Sequence, residues 1–284
     1  MGFWVRLVSR WIAGETVEDA MRVAEEENGR GVSAIINYLG EDLDSEGQVE
    51  SSVRTYLDIL GEIKRRKVSA SLSVKPTQMD VDKGIPHCMG HLSKILRVAR
   101  RQGTFVWLDM EDSGHTDKIL RLQSAASKVY SKVGVVVQAD LRRSESDVTH
   151  LVRKGVTVRL VKGAYKESTK AAFGSRDEVS RNYVRLLRIL FERGGRFAVA
   201  THDPDILKEA LSLDSFYRRR PEFQFLMGIH GDLKTDLAGR GYRVSSYVPF
   251  GASWQRYVKR RIMERPDDIL LIIYSMFTPR KRAK

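Results

Sequence analysis

Tyr257, Arg260, Arg261 and Glu264 stand at i, i+3, i+4 and i+7 in the run YVKRRIMERP, on one line of a helical face. Two adjacent guanidinium groups on that line can grip a carboxylate or phosphate through paired N–H donors. A solvated charged face is the simpler reading of the same spacing. Trp254, Val258 and Ile262 form a neighbouring apolar stripe suited to holding the helix down. Further groups capable of chemistry close a series of apolar runs: Asn37, Lys75, Asp109, Gln138, Lys162, His202, Gln224 and Tyr247. One such residue means little, because Asn or Asp at a strand-to-helix turn is ordinary capping. Asn37 and Asp203 can be read that way. The whole set outlines a mouth lined with hydrogen-bonding groups.

The chemistry open to that mouth is restricted. It has no glutamate pair suited to glycoside hydrolysis and no G-x-S-x-G elbow. Asp109 and His202 could ligate a metal, but a third strong ligand is missing, so no metal is expected. The run HCMGH places His87 and His91 at helical i, i+4 spacing around Cys88. It lies in a connection away from the strand ends, so no functional metal is expected there either. Lysine, arginine and amide donors with one carboxylate suit an organic cofactor carrying phosphates. In VRLVKGAY, Gly163 permits close backbone approach to a ligand and Lys162 supplies a cation. Arg159 lies within a β run and needs a partner, for which Asp109 in a buried salt bridge is the plain structural choice. Residues 159 and 162 face opposite ways on an ideal strand, so the strand must end or bulge near Val161 if both are to serve one ligand.

The elements that position these groups alternate. Apolar runs VSAIINYL, VSASLSVKP, TFVWLDME, GVVVQAD, VTVRLVKGA, RFAVATHD, FQFLMGI and RVSSYVPFG read as strands. Amphipathic stretches such as VESSVRTYLDILGEIKRRK, MGHLSKILRVARR and DEVSRNYVRLLRILFERGG read as helices, the last stopped by a glycine pair. TVEDAMRVAEEENGRG adds a preceding helix capped by Thr16. Eight strand–helix units indicate an α/β protein of the (β/α)8 TIM-barrel class. A doubly wound open sheet lacks support, since no G-x-G-x-x-G follows the first strand. The expected organisation is a single domain: residues 1–30 a helical lead-in, 31–265 the barrel, and 266–284 an extra C-terminal helix with a basic tail.

Bulk properties narrow the setting. A chain of 284 residues with 42% apolar content can bury a substantial core. Its single cysteine excludes an internal disulfide and suits a reducing cytoplasm. The formal charge of +13 fits nucleic acid, an anionic membrane surface, or an anionic cofactor and substrate. No nucleic-acid module or stacking surface is apparent, and the basic residues are mixed with acids. At the N-terminus, Phe3, Trp4, Leu7, Val8 and Trp11 are expected to cover the bottom of the barrel, with a peripheral membrane contact as the alternative.

Seven segments in order resemble the flavin-dependent proline dehydrogenase family: SVKPTQM, VWLDMEDSG, VVVQADL, VRLVKGAY, ATHD, EFQFLMGI and YVPFGASWQRYVKRRIMER. The opening AGETVEDAMRVA resembles the helix before the family's barrel. This resemblance implies non-covalent FAD and oxidation of L-proline to Δ1-pyrroline-5-carboxylate, with hydride passing from proline C5 to flavin N5. Electrons would continue to a quinone or another acceptor, and a separate pyrroline-5-carboxylate dehydrogenase would take the product. The family's carboxylate clamp falls on Arg260 and Arg261, with Lys75 assisting, Tyr257 on the substrate ring and Glu264 behind the arginines. Asp109 would organise the pocket, and Leu226 and Tyr247 would form its walls. The cofactor positions are Met110, Gln138, Arg159, Lys162, Gly163, Ala164, Tyr165, Thr201, His202 and Gln224, with Arg159 near the reactive edge of the flavin. Lys166, Met227 and Pro76 depart from the family's usual residues at the cofactor periphery and pocket wall. Rival readings are another flavin barrel of the methylenetetrahydrofolate reductase kind, or a basic nucleic-acid or membrane-surface protein.

Overall fold

The computed structural model describes residues 11–40 and 45–255. Its strands are β1 (Ser33–Tyr38), β2 (Ala70–Val74), β3 (Val106–Leu108), β4 (Val133–Gln138), β5 (Val158–Val161), β6 (Phe197–Ala200), β7 (Glu222–Leu226) and β8 (Arg243–Phe250). Each pairs in parallel with its sequence neighbour, and β8 returns to β1 to close the barrel. This is the (β/α)8 TIM barrel expected from the alternation.

The helices are α1 (Val17–Asn28), α2 (Glu46–Arg66), α3 (Ile85–Gln102), α4 (Thr116–Val129), α5 (Ser144–Arg153), α6 (Arg176–Arg193), α7 (Pro204–Tyr217) and α8 (Gly231–Gly239). Several starts are set by side chains that satisfy free helix N–H groups. Thr16, Ser45 and Ser175 each form a capping box with the residue three places on. Asp203 caps α7 by accepting from the N–H groups of Asp205 and Ile206. Among the described residues, no helix is long and apolar enough to cross a membrane.

The packing forms two layers. A large apolar cluster lies between the strands and the surrounding helices. A separate cluster of Ile35, Phe105, Trp107 and Ala198, with Tyr247 against it, joins residues from β1, β6, β8 and the β3 region. These strands can meet only across the barrel axis, so this cluster fills the interior. A Cβ at Gly134 would come within 2.6 Å of the Trp107 ring, so glycine in β4 makes room for the indole.

Helix α1 packs on both β1 and β8. Lys234 of α8 reaches both carboxylate oxygens of Glu27 at 3.1 Å and the Ser246 hydroxyl at 3.1 Å, a buried tie joining α1, α8 and β8. The chain just before α1 runs along the C-terminal ends of two strands. Ala13 donates to Pro249, Gly251 donates to Gly14, and Ile12 packs with Leu39 and Trp254, all at the C-terminal ends of β8 and β1. Phe3, Trp4, Leu7 and Val8 lie outside the described residues, as does the expected C-terminal helix.

Candidate active site

The residues converging inside the barrel are set by strand parity and register. Asn37 pairs in register with Ser73, and Ser73 with Trp107. On the other side, Val136, Arg159, Ala198 and Glu222 follow one another across β4 to β7. Asp109, just past β3, shares the parity of Trp107 and collects donors from four strands. Its Oδ1 accepts from Ser73 Oγ at 2.7 Å and from Arg159 Nη2, while its Oδ2 accepts from Tyr247 OH at 2.9 Å and Asn37 Nδ2 at 3.4 Å. Arg159 also donates to Ser73 Oγ at 3.0 Å. Its guanidinium carbon lies 5.1 Å from the Trp107 ring centroid and 5.6 Å from that of Tyr247, within cation–π range.

The ion pair expected between Arg159 and Asp109 is therefore present and buried. It stays folded because the carboxylate's lone pairs are shared among several donors. One guanidinium nitrogen is left over: Arg159 Nη1 is buried with no hydrogen-bond partner among the described residues. Gln224 Oε1 and Asn37 Oδ1 are in the same condition. Buried polar atoms of this kind carry a desolvation cost unless something binds them.

Strand β5 ends at Val161, between Arg159 and Lys162. The two cations part there. Lys162 Nζ donates to Asp203 Oδ2 at 2.6 Å and Ser180 Oγ at 2.9 Å, tying the end of β5 to the starts of α6 and α7. Burial pushes the Asp203 carboxyl up, but the Lys162 hydrogen bond and the helix N–H donors outweigh it and hold it below the ordinary value. Asp203 is thus a cap and a partner for Lys162 at once. Gly163 has φ +117, and a Cβ there would lie 1.9 to 2.2 Å from the Asp140 carboxylate atoms. The close approach demanding glycine is to Asp140. Ala164 and Tyr165 follow in the half-buried loop after β5.

The other expected site residues are distributed around this centre. Lys75 is buried at the first position beyond β2, and Glu111 lies near enough for their charges to interact. Burial raises the Glu111 carboxyl, opposed by Lys75 and by donation from the Thr77 N–H and hydroxyl at 2.9 and 2.6 Å. Gln138 closes β4 and donates to the Glu111 carbonyl at 3.0 Å. Thr201 is buried just after β6, and its hydroxyl accepts from the Asp203 N–H at 3.2 Å. His202 Nε2 accepts the Leu226 N–H at 3.3 Å, which puts the proton of a neutral ring on Nδ1. Met110 is buried with the main apolar cluster.

Gln224 and Tyr247 sit inside their strands, since β7 and β8 continue to Leu226 and Phe250. Gln224 Nε2 points to Glu222 Oε1 at 2.9 Å, an oxygen shared with Ser245 Oγ at 2.8 Å. Tyr257, Arg260, Arg261 and Glu264 lie outside the described residues. Ser73, Trp107 and Glu111 were not singled out from sequence. Ser73 and Trp107 share the parity of Lys75 and Asp109, which was the available signal.

A closed (β/α)8 barrel whose interior holds a buried ion pair and unfilled hydrogen-bonding atoms places the chain in the TIM-barrel class. A family model described as proline dehydrogenase matches residues 20–266. This chain belongs to the proline dehydrogenase family, a family of oxidoreductases.

Proline dehydrogenase 1 of Bacillus subtilis strain 168 is 33% identical over 267 residues, covering 93% of this chain and 88% of that protein. Proline dehydrogenase of Deinococcus radiodurans is 30% identical over 283 residues, covering 95% and 90%. Among solved structures, proline utilization A of Bdellovibrio bacteriovorus, inactivated by N-propargylglycine, superposes with a TM-score of 0.84 at 23% identity. That match covers 92% of this chain and 32% of the longer one, and establishes the fold.

Proposed function

We propose that this chain is an FAD-dependent proline dehydrogenase that oxidises L-proline to Δ1-pyrroline-5-carboxylate, the first step of proline breakdown to glutamate. The observation carrying this reading is Arg159. It is a buried guanidinium, packed by Trp107 and Tyr247, with Nη2 committed to Asp109 and Ser73 and Nη1 left without an acceptor among the described residues. Such a group fits the polar edge of a flavin ring, which offers the acceptors that Nη1 lacks. When bound, FAD supplies at N5 the acceptor for a hydride leaving proline C5.

The chain's own residues then have divided tasks. Arg159 favours negative charge at the cofactor edge, acting from a position fixed by Asp109. Met110, Gln138, Lys162, Gly163, Ala164, Tyr165, Thr201, His202 and Gln224 hold the cofactor non-covalently. Arg260 and Arg261 clamp the proline carboxylate with help from Lys75, Tyr257 packs on the ring, and Glu264 steadies the arginines. Leu226 and Tyr247 wall the pocket, with Asp109 fixing the Tyr247 hydroxyl. Holding the carboxylate at several points orients C5, so positioning supplies much of the acceleration. No side chain is assigned as general base, and the free amine binds from solution.

Electrons pass on to a quinone or another acceptor, and a separate dehydrogenase consumes the product. The enzyme works in the cytoplasm, with its basic surface and tryptophan-containing N-terminus available for peripheral contact with a membrane or an acidic partner. The test is anaerobic addition of L-proline to the purified protein. A yellow protein bleached by proline supports the reading, and a colourless or unresponsive protein overturns it. Bleaching only by a nicotinamide donor would favour a methylenetetrahydrofolate reductase-like barrel.

A further inference from the structure

The HCMGH run lies on an outer helix, but the fold brings carboxylates from two other segments against it. His87 and His91 stand one turn apart in α3, with ring centroids 5.0 Å apart. Glu46 opens α2, and Asp80 lies between two 3-10 turns in the connection from β2 to α3. His91 Nε2 is 3.0 Å from Glu46 Oε1. His87 Nε2 is 3.6 Å from Glu46 Oε2 and 3.4 Å from Asp80 Oδ2. One donor atom from each of Glu46, His87 and His91 lies within 4.8 Å of the other two. His87 Nε2 is buried, yet it makes no hydrogen bond to any described residue. The two His87 separations are long for a hydrogen bond, whereas 3.0 Å between His91 and Glu46 is an ordinary one. The three separations lie near the edges of a coordination tetrahedron, which are about 3.3 Å when metal–ligand bonds are about 2.0–2.1 Å.

We propose that Glu46, His87 and His91 form a structural site for a divalent transition cation of the zinc class, with the Asp80 carboxylate, 3.4 Å from His87 Nε2, beside it. Imidazole nitrogens favour such ions over magnesium and calcium, and the two carboxylates balance the charge. Cys88 lies between the histidines in sequence but is buried in the apolar cluster, so it takes no part. Lys83 holds the position of a competing cation, 2.7 Å from Asp80 and 3.8 Å from Glu46. Its side chain is 58% exposed and can swing into water when a metal enters. The connection that supplies Asp80 begins at Lys75, so a bound ion braces the loop leading away from the mouth to the start of α2.

The test uses the full chain as purified, stripped with a chelator, then titrated with Zn2+ by calorimetry and melted with and without the ion. One Zn2+ should bind per chain and raise the melting temperature. His87→Gln, at a half-exposed ring, should weaken binding by about tenfold or more through loss of a ligand. Cys88→Ala should leave affinity unchanged. Lys83→Ala should tighten it about two- to fivefold, the effect of removing an exposed competing ion pair. The proposal is overturned if Zn2+ does not bind saturably, if His87→Gln binds as the parent does, or if Lys83→Ala binds more weakly. None of these readouts depends on turnover, so the site stands or falls apart from the proposed activity.

Discussion

The buried pair at the barrel centre should respond unequally to loss of its two members. Asp109 accepts hydrogen bonds from Ser73, Arg159, Tyr247 and Asn37, whereas Arg159 has Asp109 and Ser73 alone among the described residues. Asp109→Ala leaves a guanidinium stranded in a barrel interior where Arg159 is only 4% exposed. Breaking a buried pair in this way costs about 3–5 kcal/mol. For a chain of 284 residues that lowers the melting temperature by about 5–8 °C.

Arg159→Met keeps an apolar stem between Trp107 and Tyr247 and leaves the carboxylate with its three remaining donors. It loses the charge-assisted hydrogen bond to Asp109, about 1.5–3 kcal/mol, and the donation to Ser73, whose hydroxyl keeps its bond to Asp109. The double variant Asp109→Ala/Arg159→Met removes the stranded charge and should be more stable than Asp109→Ala alone, a strongly non-additive cycle. The assay is thermal unfolding by circular dichroism at matched cofactor occupancy, since a ligand of the native state would shift each midpoint. A double variant less stable than Asp109→Ala, or Arg159→Met as damaging as Asp109→Ala, would show that the charge is not the governing cost.

Further outcomes follow from other contacts. Lys234→Met should cost about 3–5 kcal/mol by leaving Glu27 buried without its cation, and Glu27→Gln/Lys234→Met should recover part of that loss in urea unfolding. Burial pushes the Cys88 thiol up to about 12, so the native protein at pH 8 should resist thiol reagents that label it at once after denaturation. Burial works against the His115 proton, but hydrogen bonds to Asp82 and Asp112 prevail and raise its pKa. A raised folded-state value means that the stabilisation is fully present below the unfolded value of about 6.5 and is lost as pH rises through the folded value. The stability advantage over His115→Gln should therefore shrink between pH 6 and pH 9, and an advantage that grows with pH would contradict the assigned partners. Arg261→Met should raise KM for proline by orders of magnitude while flavin absorbance of the purified protein is retained.

The barrel was legible because its two periodicities are written along the chain. Strand runs end in polar groups, the helical run from Thr16 stops at Gly29, another stops at the Gly194–Gly195 pair, and closure follows from the number of units. A ligand shared by residues 159 and 162 would require β5 to end or bulge near Val161, and β5 does end there. Period-two alternation tells which face a side chain takes, but not what it meets across the axis or beyond the strand end. Lys162 illustrates the limit: its type marks a cation at the strand end, and only the fold shows that Asp203 and Ser180 hold it in place. For Gly163, the sequence shows a residue that permits close backbone approach, and the fold adds that the Asp140 carboxylate lies where a Cβ would go.

Contacts between distant segments depend on the register of closure, which no local pattern encodes. The cluster of Glu46 with His87 and His91 makes the same point from outside the barrel. The i, i+4 histidines were visible as a pair, but a pair has no metal preference until a third donor arrives from another helix. That donor is positioned by Ser45, whose capping box fixes the start of α2 and so places Glu46 at its first turn. A local capping signal thereby determines a long-range constellation, and the sequence holds both halves without stating that they meet.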